Sequence, residues 1–265
     1  MKERMEILGV PVDALTMDES VKEITERTLE GKKTFVVTAN AEIIMMCQED
    51  SFYNDVVSNQ ADIVLPDGAG AVWAGRHKGY QVPERVAGYD LFRKLLEAGR
   101  EQGMKSYFFG GSPGISEAAK KKVEELYPGV KIVGTHNGYF KDEDVPQIVD
   151  DINKSGADYL FIALGAPKQE RWIMDNMDKV DAKLFMGIGG SFDVLAGKMQ
   201  RAPKWMQDAS LEWLFRLYKQ PSRLGRMMAL PKFVIKVILI KEFNNYLRLC
   251  KAIDKIIDLY YNNVM

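Results

Sequence analysis

The chain has 265 residues, of which 46% are hydrophobic and 28% charged, and its net charge is −1. This composition excludes a disordered or low-complexity chain and allows a sizeable core in one large or two small domains. The two cysteines, Cys47 and Cys250, lie far apart and outside any CxxC pair, which argues against a disulfide framework and a structural zinc site.

No element is predicted ahead of Thr34, and MKERMEILGV lacks the apolar core of a signal peptide. Thr34-Phe35-Val36-Val37-Thr38 predicts a strand, Ala41 to Val57 a helix, Ile63-Val64-Leu65 a strand and Tyr89 to Gln102 a helix. Ser106-Tyr107-Phe108-Phe109 predicts a strand running into Gly110-Gly111-Ser112-Pro113-Gly114, and a helix follows from Ile115 to Tyr127. A strand at Val130–Thr135 and a helix at Asp144–Ser155 come next. A strand at Tyr159–Leu164, a helix at Gln169–Met177 and a strand at Lys183–Ile188 complete the alternation. Strands separated by helices of this length predict an α/β fold with a mostly parallel, Rossmann-like sheet covered by helices.

From about Gln200 the character changes. Residues 200–265 hold 12 Lys and Arg against 5 Asp and Glu, leaving 24 against 32 in residues 1–199. Ile235, Ile238, Leu239, Tyr246, Leu249, Ile253, Ile256 and Tyr260 share one helical face, with Lys241, Arg248, Lys251 and Lys255 on the other. The expected division is therefore an α/β catalytic domain at 1–199 and a basic amphipathic helical appendage at 200–265. Such an appendage suits an anionic membrane surface, or packing on its own domain. The longest strongly apolar run, Phe233 to Ile240, is broken by Lys236 and falls short of the about 18 residues a membrane span needs. The expectation is a cytoplasmic protein, peripheral on a membrane.

Parallel sheets bind ligands beyond the carboxyl ends of their strands. That edge collects Thr38-Ala39-Asn40, Asp67 in LPDGAG, Gly110 to Gly114, Gly165 to Gln169, and Gly187 to Ser191. Locally, Asp67 reads first as a turn residue, with a functional carboxylate as the second reading. Both glycine-rich loops could approach a phosphate, though neither is a GxGxxG or Walker loop. Asp142-Glu143-Asp144 reads as charge at a helix start rather than a metal pair. His77 and His136 have no partner at metal-ligand spacing.

Together, Thr38-Ala-Asn40-Ala-Glu42, Pro66-Asp67-Gly68-Ala-Gly70, Pro83-Glu84-Arg85-Val-Ala-Gly88, Gly165-Ala-Pro167-Lys168-Gln169-Glu170 and Gly189-Gly190-Ser191-Phe192-Asp193 resemble the WecG/TagA/CpsF glycosyltransferases, the TagA branch most closely. The resemblance runs from Ile7-Leu8-Gly9-Val10-Pro11 to Leu230-Pro231-Lys232-Phe233. It implies an inverting, metal-independent transfer of N-acetylmannosamine from UDP to the 4-hydroxyl of polyprenyl-diphosphate-linked N-acetylglucosamine, in teichoic acid linkage-unit synthesis at the inner face of the plasma membrane. It implies no cofactor and no nucleic acid, and leaves room for self-association. On this reading Asp67 is the base and Arg85 neutralises the departing diphosphate, helped by Arg216, Arg223 and Arg226. Thr38, Asn40 and Gln169 would contact sugar or acceptor, and Tyr139 and Asp193 the nucleotide. The alternatives are a family member using another donor, such as N-acetylmannosaminuronic acid or glucose, and a membrane-docked nucleotide-binding protein without turnover.

Overall fold

The computed structural model describes residues 4–209, 211–221 and 224–240. Six parallel strands form the central sheet: β3 (Thr34–Ala39), β4 (Ile63–Pro66), β5 (Lys105–Gly110), β6 (Lys131–His136), β7 (Tyr159–Ala163) and β8 (Leu184–Gly187), in the order β4-β3-β8-β7-β5-β6. Nearly every residue of β3, β4, β7 and β8 is buried, because helices cover both faces. Two cores result. One holds Phe35, Val37, Phe109, Ile162 and Phe185; the other packs Phe92, Phe108, Phe161 and Phe192 edge-to-face and tilted against one another.

The predicted strands all form. The predicted helix over Ala41–Val57 is instead α2 (Ala41–Glu49), α3 (Ser51–Asp55) and a π-turn at Val56–Gln60. Asp50 breaks it: its backbone is extended, and its carboxylate accepts from the Tyr53 N–H at 3.0 Å to start a new helix. Asp142–Asp144 forms a 3-10 turn leading into α7 (Val145–Ser155), a helix start as expected.

Four elements of the N-terminal third go beyond the predicted set. β1 (Arg4–Ile7) and β2 (Val10–Asp13) form an antiparallel hairpin turning on Leu8 and Gly9, both at positive φ. Asp13 ties it to the sheet edge, accepting from the Val64 N–H at 2.8 Å and from Arg4 at 3.0 Å. α1 (Met17–Leu29) opens on a Thr16/Glu19 capping box. α4 (Gly68–His77) follows Asp67 directly and packs on β1 through Gly75, where a Cβ would meet Met5 Sδ at 2.6 Å.

After Gln200 come α10 (Lys204–Asp208), α11 (Glu212–Lys219), α12 (Leu224–Met227) and a helical run over 229–240. This run uses two apolar faces. Phe233 and Val237 are buried in the sheet domain's core, while Ile235, Ile238 and Leu239 of the anticipated face stay exposed beside Lys232 and Lys236. The rest of that face, Tyr246 to Tyr260, lies outside the described residues. Among those described, no helix is long and apolar enough to cross a membrane.

Candidate active site

Parallel pairing brings the carboxyl ends of β3, β4, β7 and β8 to one edge, where two cavities meet. The first, of about 460 Å³, is the more polar of the two and is walled by Thr38, Gln169, the Gly187–Ser191 loop, Arg201 and Arg226. The second, of about 580 Å³, is walled by Trp73, Trp213, Met227, Leu230 and Val234. Asn40, Glu42, Asp67, Glu212 and Arg216 line both. Asp67 therefore lines both chambers, the more polar and the more apolar.

Backbone pairing places Asp67. Its N–H donates to the Ala39 carbonyl at 3.0 Å, and the following loop returns so that the Val86 N–H donates to the Pro66 carbonyl at 2.9 Å. The carboxylate does not cap α4, so the turn role does not account for it. Burial pushes it above the usual carboxylate range, and Glu212 adds to this; Arg216, Arg85 and the Gly88 N–H pull the other way without prevailing. A carboxylate so placed is a stronger proton acceptor than one in water.

Gly88, the first residue of α5 (Gly88–Glu101), leaves room for that carboxylate. A Cβ there would lie 2.7 Å from Thr38 Oγ1 and 3.6 Å from Asp67 Oδ2. Gly88→Ala is expected to displace the Thr38 side chain, set a methyl group against the Asp67 carboxylate and reduce turnover about 10–100-fold, at a cost of a few degrees in Tm. Unchanged kcat would show that this spacing does not matter.

The other anticipated residues divide. Asn40 caps α2 through Oδ1, which accepts from Ile43 N–H at 3.0 Å, and keeps its amide donors for the cavities. Gln169 is almost fully committed: Oε1 accepts from Gly165 and Gly189 N–H groups, each at 3.1 Å, and Nε2 donates to buried Glu170 at 2.7 Å. It staples the β7 and β8 loops together, with one amide hydrogen left over. Glu84 receives the Met17 N–H at 2.6 Å, so it anchors α1 while its neighbour Arg85 reaches the site. Tyr139, 73% exposed after β6, and Asp193, in the short helix Ser191–Leu195, line neither cavity. Arg223 lies outside the described residues.

Of the two glycine-rich loops, only Gly187–Ser191 lines a cavity. In the other, a Cβ on Gly110 would fall 2.5 Å from the Ala163 backbone, and Gly111 accepts from Gly138 N–H at 2.7 Å. Close chain packing accounts for those glycines. Among the described residues, no group of three or more His, Cys, Asp or Glu could hold a metal ion.

Sequence reading missed an ionic cluster. Arg201 grips Asp90 with two bonds of 2.6 Å and lies 4.9 Å over the Tyr89 ring. Glu212 receives Arg85 at 3.3 Å and Arg216 at 3.2 Å, with Arg201 Nε at 3.8 Å. Arg85 and Arg216 were among the expected site residues, but for Asp90, Arg201 and Glu212 the sequence offered only the basic excess after residue 200.

The model of the glycosyl transferase WecG/TagA/CpsF family matches residues 5–246. The N-acetylglucosaminyldiphosphoundecaprenol N-acetyl-beta-D-mannosaminyltransferase of Bacillus spizizenii is 36% identical over 209 residues, 79% of this chain and 80% of its own. Its counterpart in Bacillus subtilis is 34% identical over 210 residues, with the same coverage. That of Staphylococcus aureus is 32% identical over 236 residues, 88% of this chain and 92% of its own.

Proposed function

The chain belongs to the WecG/TagA/CpsF family of glycosyltransferases, and from that premise we propose that it moves N-acetylmannosamine from UDP to the 4-hydroxyl of polyprenyl-diphosphate-linked N-acetylglucosamine. The transfer inverts the anomeric centre, uses no metal and takes place at the inner face of the plasma membrane, toward the teichoic acid linkage unit. One observation carries this reading: Asp67 lines both the more polar and the more apolar cavity. The nucleotide sugar suits the first and the lipid-linked acceptor the second, so the hydroxyl and the anomeric carbon meet at the carboxylate.

Asp67 takes the hydroxyl proton as the oxygen bonds to the anomeric carbon from the face opposite UDP. The bond from that carbon to the diphosphate oxygen breaks, and UDP leaves with the electron pair. An α-linked donor then gives a β-linked product, in keeping with the "beta" in the relatives' names. The charge developing on the diphosphate is met by Arg85, Arg216, Arg226 and Lys232 around the cavities. Thr38, Asn40 and the free amide hydrogen of Gln169 orient the sugars.

The test incubates the purified protein with a chelator, UDP-N-acetylmannosamine and the lipid acceptor, with UDP-glucose and UDP-N-acetylmannosaminuronic acid as parallel donors. Disaccharide-lipid formed from N-acetylmannosamine, with a β linkage by NMR, is the expected result. Product from another donor would replace the proposed sugar. Bound UDP with no transfer from any donor would favour a nucleotide-binding protein.

A further inference from the structure

We propose that Glu212 is a positioning residue that holds Arg85 of the sheet domain and Arg216 of α11 together as one guanidinium pair, aimed at the diphosphate beside Asp67. This rests on the transferase reading above and adds a residue that the reading does not require.

Only 14% of the Glu212 side chain is exposed, and it lines both cavities where the appendage crosses the sheet edge. Each carboxylate oxygen takes a different arginine, Oε2 from Arg85 and Oε1 from Arg216. Those two guanidiniums come from separate elements, one from the loop after α4 and one from the appendage. Without an anion between them they would repel each other and swing apart. Arg201 is different, because both of its terminal nitrogens are already held by Asp90. Asp90 matches Arg201, while Glu212 is shared by Arg85 and Arg216, with Arg226 and Lys232 nearby and Glu42, Glu49 and Asp67 also lining the cavities. Two guanidiniums that share one carboxylate keep donors for a second acceptor, and a diphosphate bridging the pair supplies it.

The same geometry separates the two carboxylates by role. Both Glu212 oxygens carry guanidinium donors, which suits them to hold the two arginines in place. The charged groups around Asp67 are Arg85 from the loop before α5, Glu212 and Arg216 from α11, Glu42 from α2, and Arg226 and Lys232 beyond. Among these, the charge of Glu212 opposes ionisation of Asp67, while Arg85 and Arg216 favour it.

The test compares Glu212→Gln and Glu212→Asp with wild type in the full chain, reading the pH dependence of kcat/KM and the Kd for UDP. Loss of the charge in Glu212→Gln is expected to move the acid limb of the profile downward by about half a pH unit or more. UDP binding should weaken about 10-fold. Glu212→Asp should keep the limb where wild type has it. Lower activity in Glu212→Gln with an unmoved limb and unchanged UDP affinity would overturn the proposal and leave only a structural contact. Asp67→Asn, measured alongside, separates the two ideas. If Asp67→Asn is inactive and Glu212→Gln changes neither the limb nor UDP affinity, the positioning role fails and the base stands. If Asp67→Asn is active, the base itself fails.

Discussion

Asp67→Asn is expected to fold as wild type does, to keep UDP affinity, and to lose about 10²–10⁴-fold in kcat, the range for removing a general base. The substitution preserves shape, and the main-chain bond from residue 67 to the Ala39 carbonyl does not depend on the side chain. The carboxylate does not cap α4, so the fold forfeits no hydrogen bond there, and the amide oxygen can still accept from the Gly88 N–H. Stability should in fact rise near neutral pH. An acid whose pKa is higher in the folded than in the unfolded chain favours the fold while protonated, and that advantage disappears as pH climbs through the folded pKa. Burial raises Asp67, so its ionised form costs wild type stability at neutral pH, a cost the neutral amide avoids. Thermal melts should show the variant gaining on wild type as pH rises above the usual carboxylate range. Turnover close to wild type would end the assignment of Asp67 as base.

The sheet was legible because buried parallel strands read as short β-branched and aromatic runs, as in Phe35-Val36-Val37 and Leu160-Phe161-Ile162. The hairpin of β1 and β2 was not, since each strand has only four residues and Pro11 interrupts the second. The glycines at 68, 70 and 75 disguised α4. Two of them are there for contact: Gly75 admits Met5 and Val82, and Gly70 faces Ala41 and Phe233. At Asp50, helical periodicity continued across a residue whose capping geometry ended it.

The site was legible in proportion to how local it is. Thr38, Asn40, Asp67 and Gln169 each follow or end a strand, so the carboxyl-edge rule reached them. The same rule could not rank the loops. Strand order puts β6 at the far end of the sheet from β4, which is why Tyr139 shares the edge with Asp67 yet lines neither cavity. Gln169 suggested a ligand contact, and the structure gives most of its hydrogen bonds to the two loops it joins. Glu212 was invisible because, in the sequence, an acid in the first turn of a helix needs no further reason.

Cutting the chain after Gln200 is expected to abolish turnover, by at least about 10³-fold, because several donors to the diphosphate leave together and each is worth about 10²–10³. The cut removes Arg201, Glu212, Arg216, Arg226 and Lys232 from the polar cavity. It also takes Trp213, Met227, Leu230 and Val234 from the apolar one, leaving Trp73 without a facing wall. Vesicle binding should go as well. The exposed Ile235, Ile238 and Leu239 beside Lys232 and Lys236 form a surface suited to anionic lipid, where each cation is worth about 1 kcal/mol. The sheet domain should still melt cooperatively but at lower temperature. Phe233 is fully buried in its core, and such a ring contributes about 1.5–3 kcal/mol. Phe233→Ala in the full chain separates anchoring from charge. It keeps every arginine and the exposed apolar face but loosens the appendage over Asp67, so kcat should fall while binding to anionic vesicles persists. Full activity in the truncated protein would mean that the sheet edge alone holds the diphosphate, and that Arg216, Arg226 and Lys232 serve only the membrane.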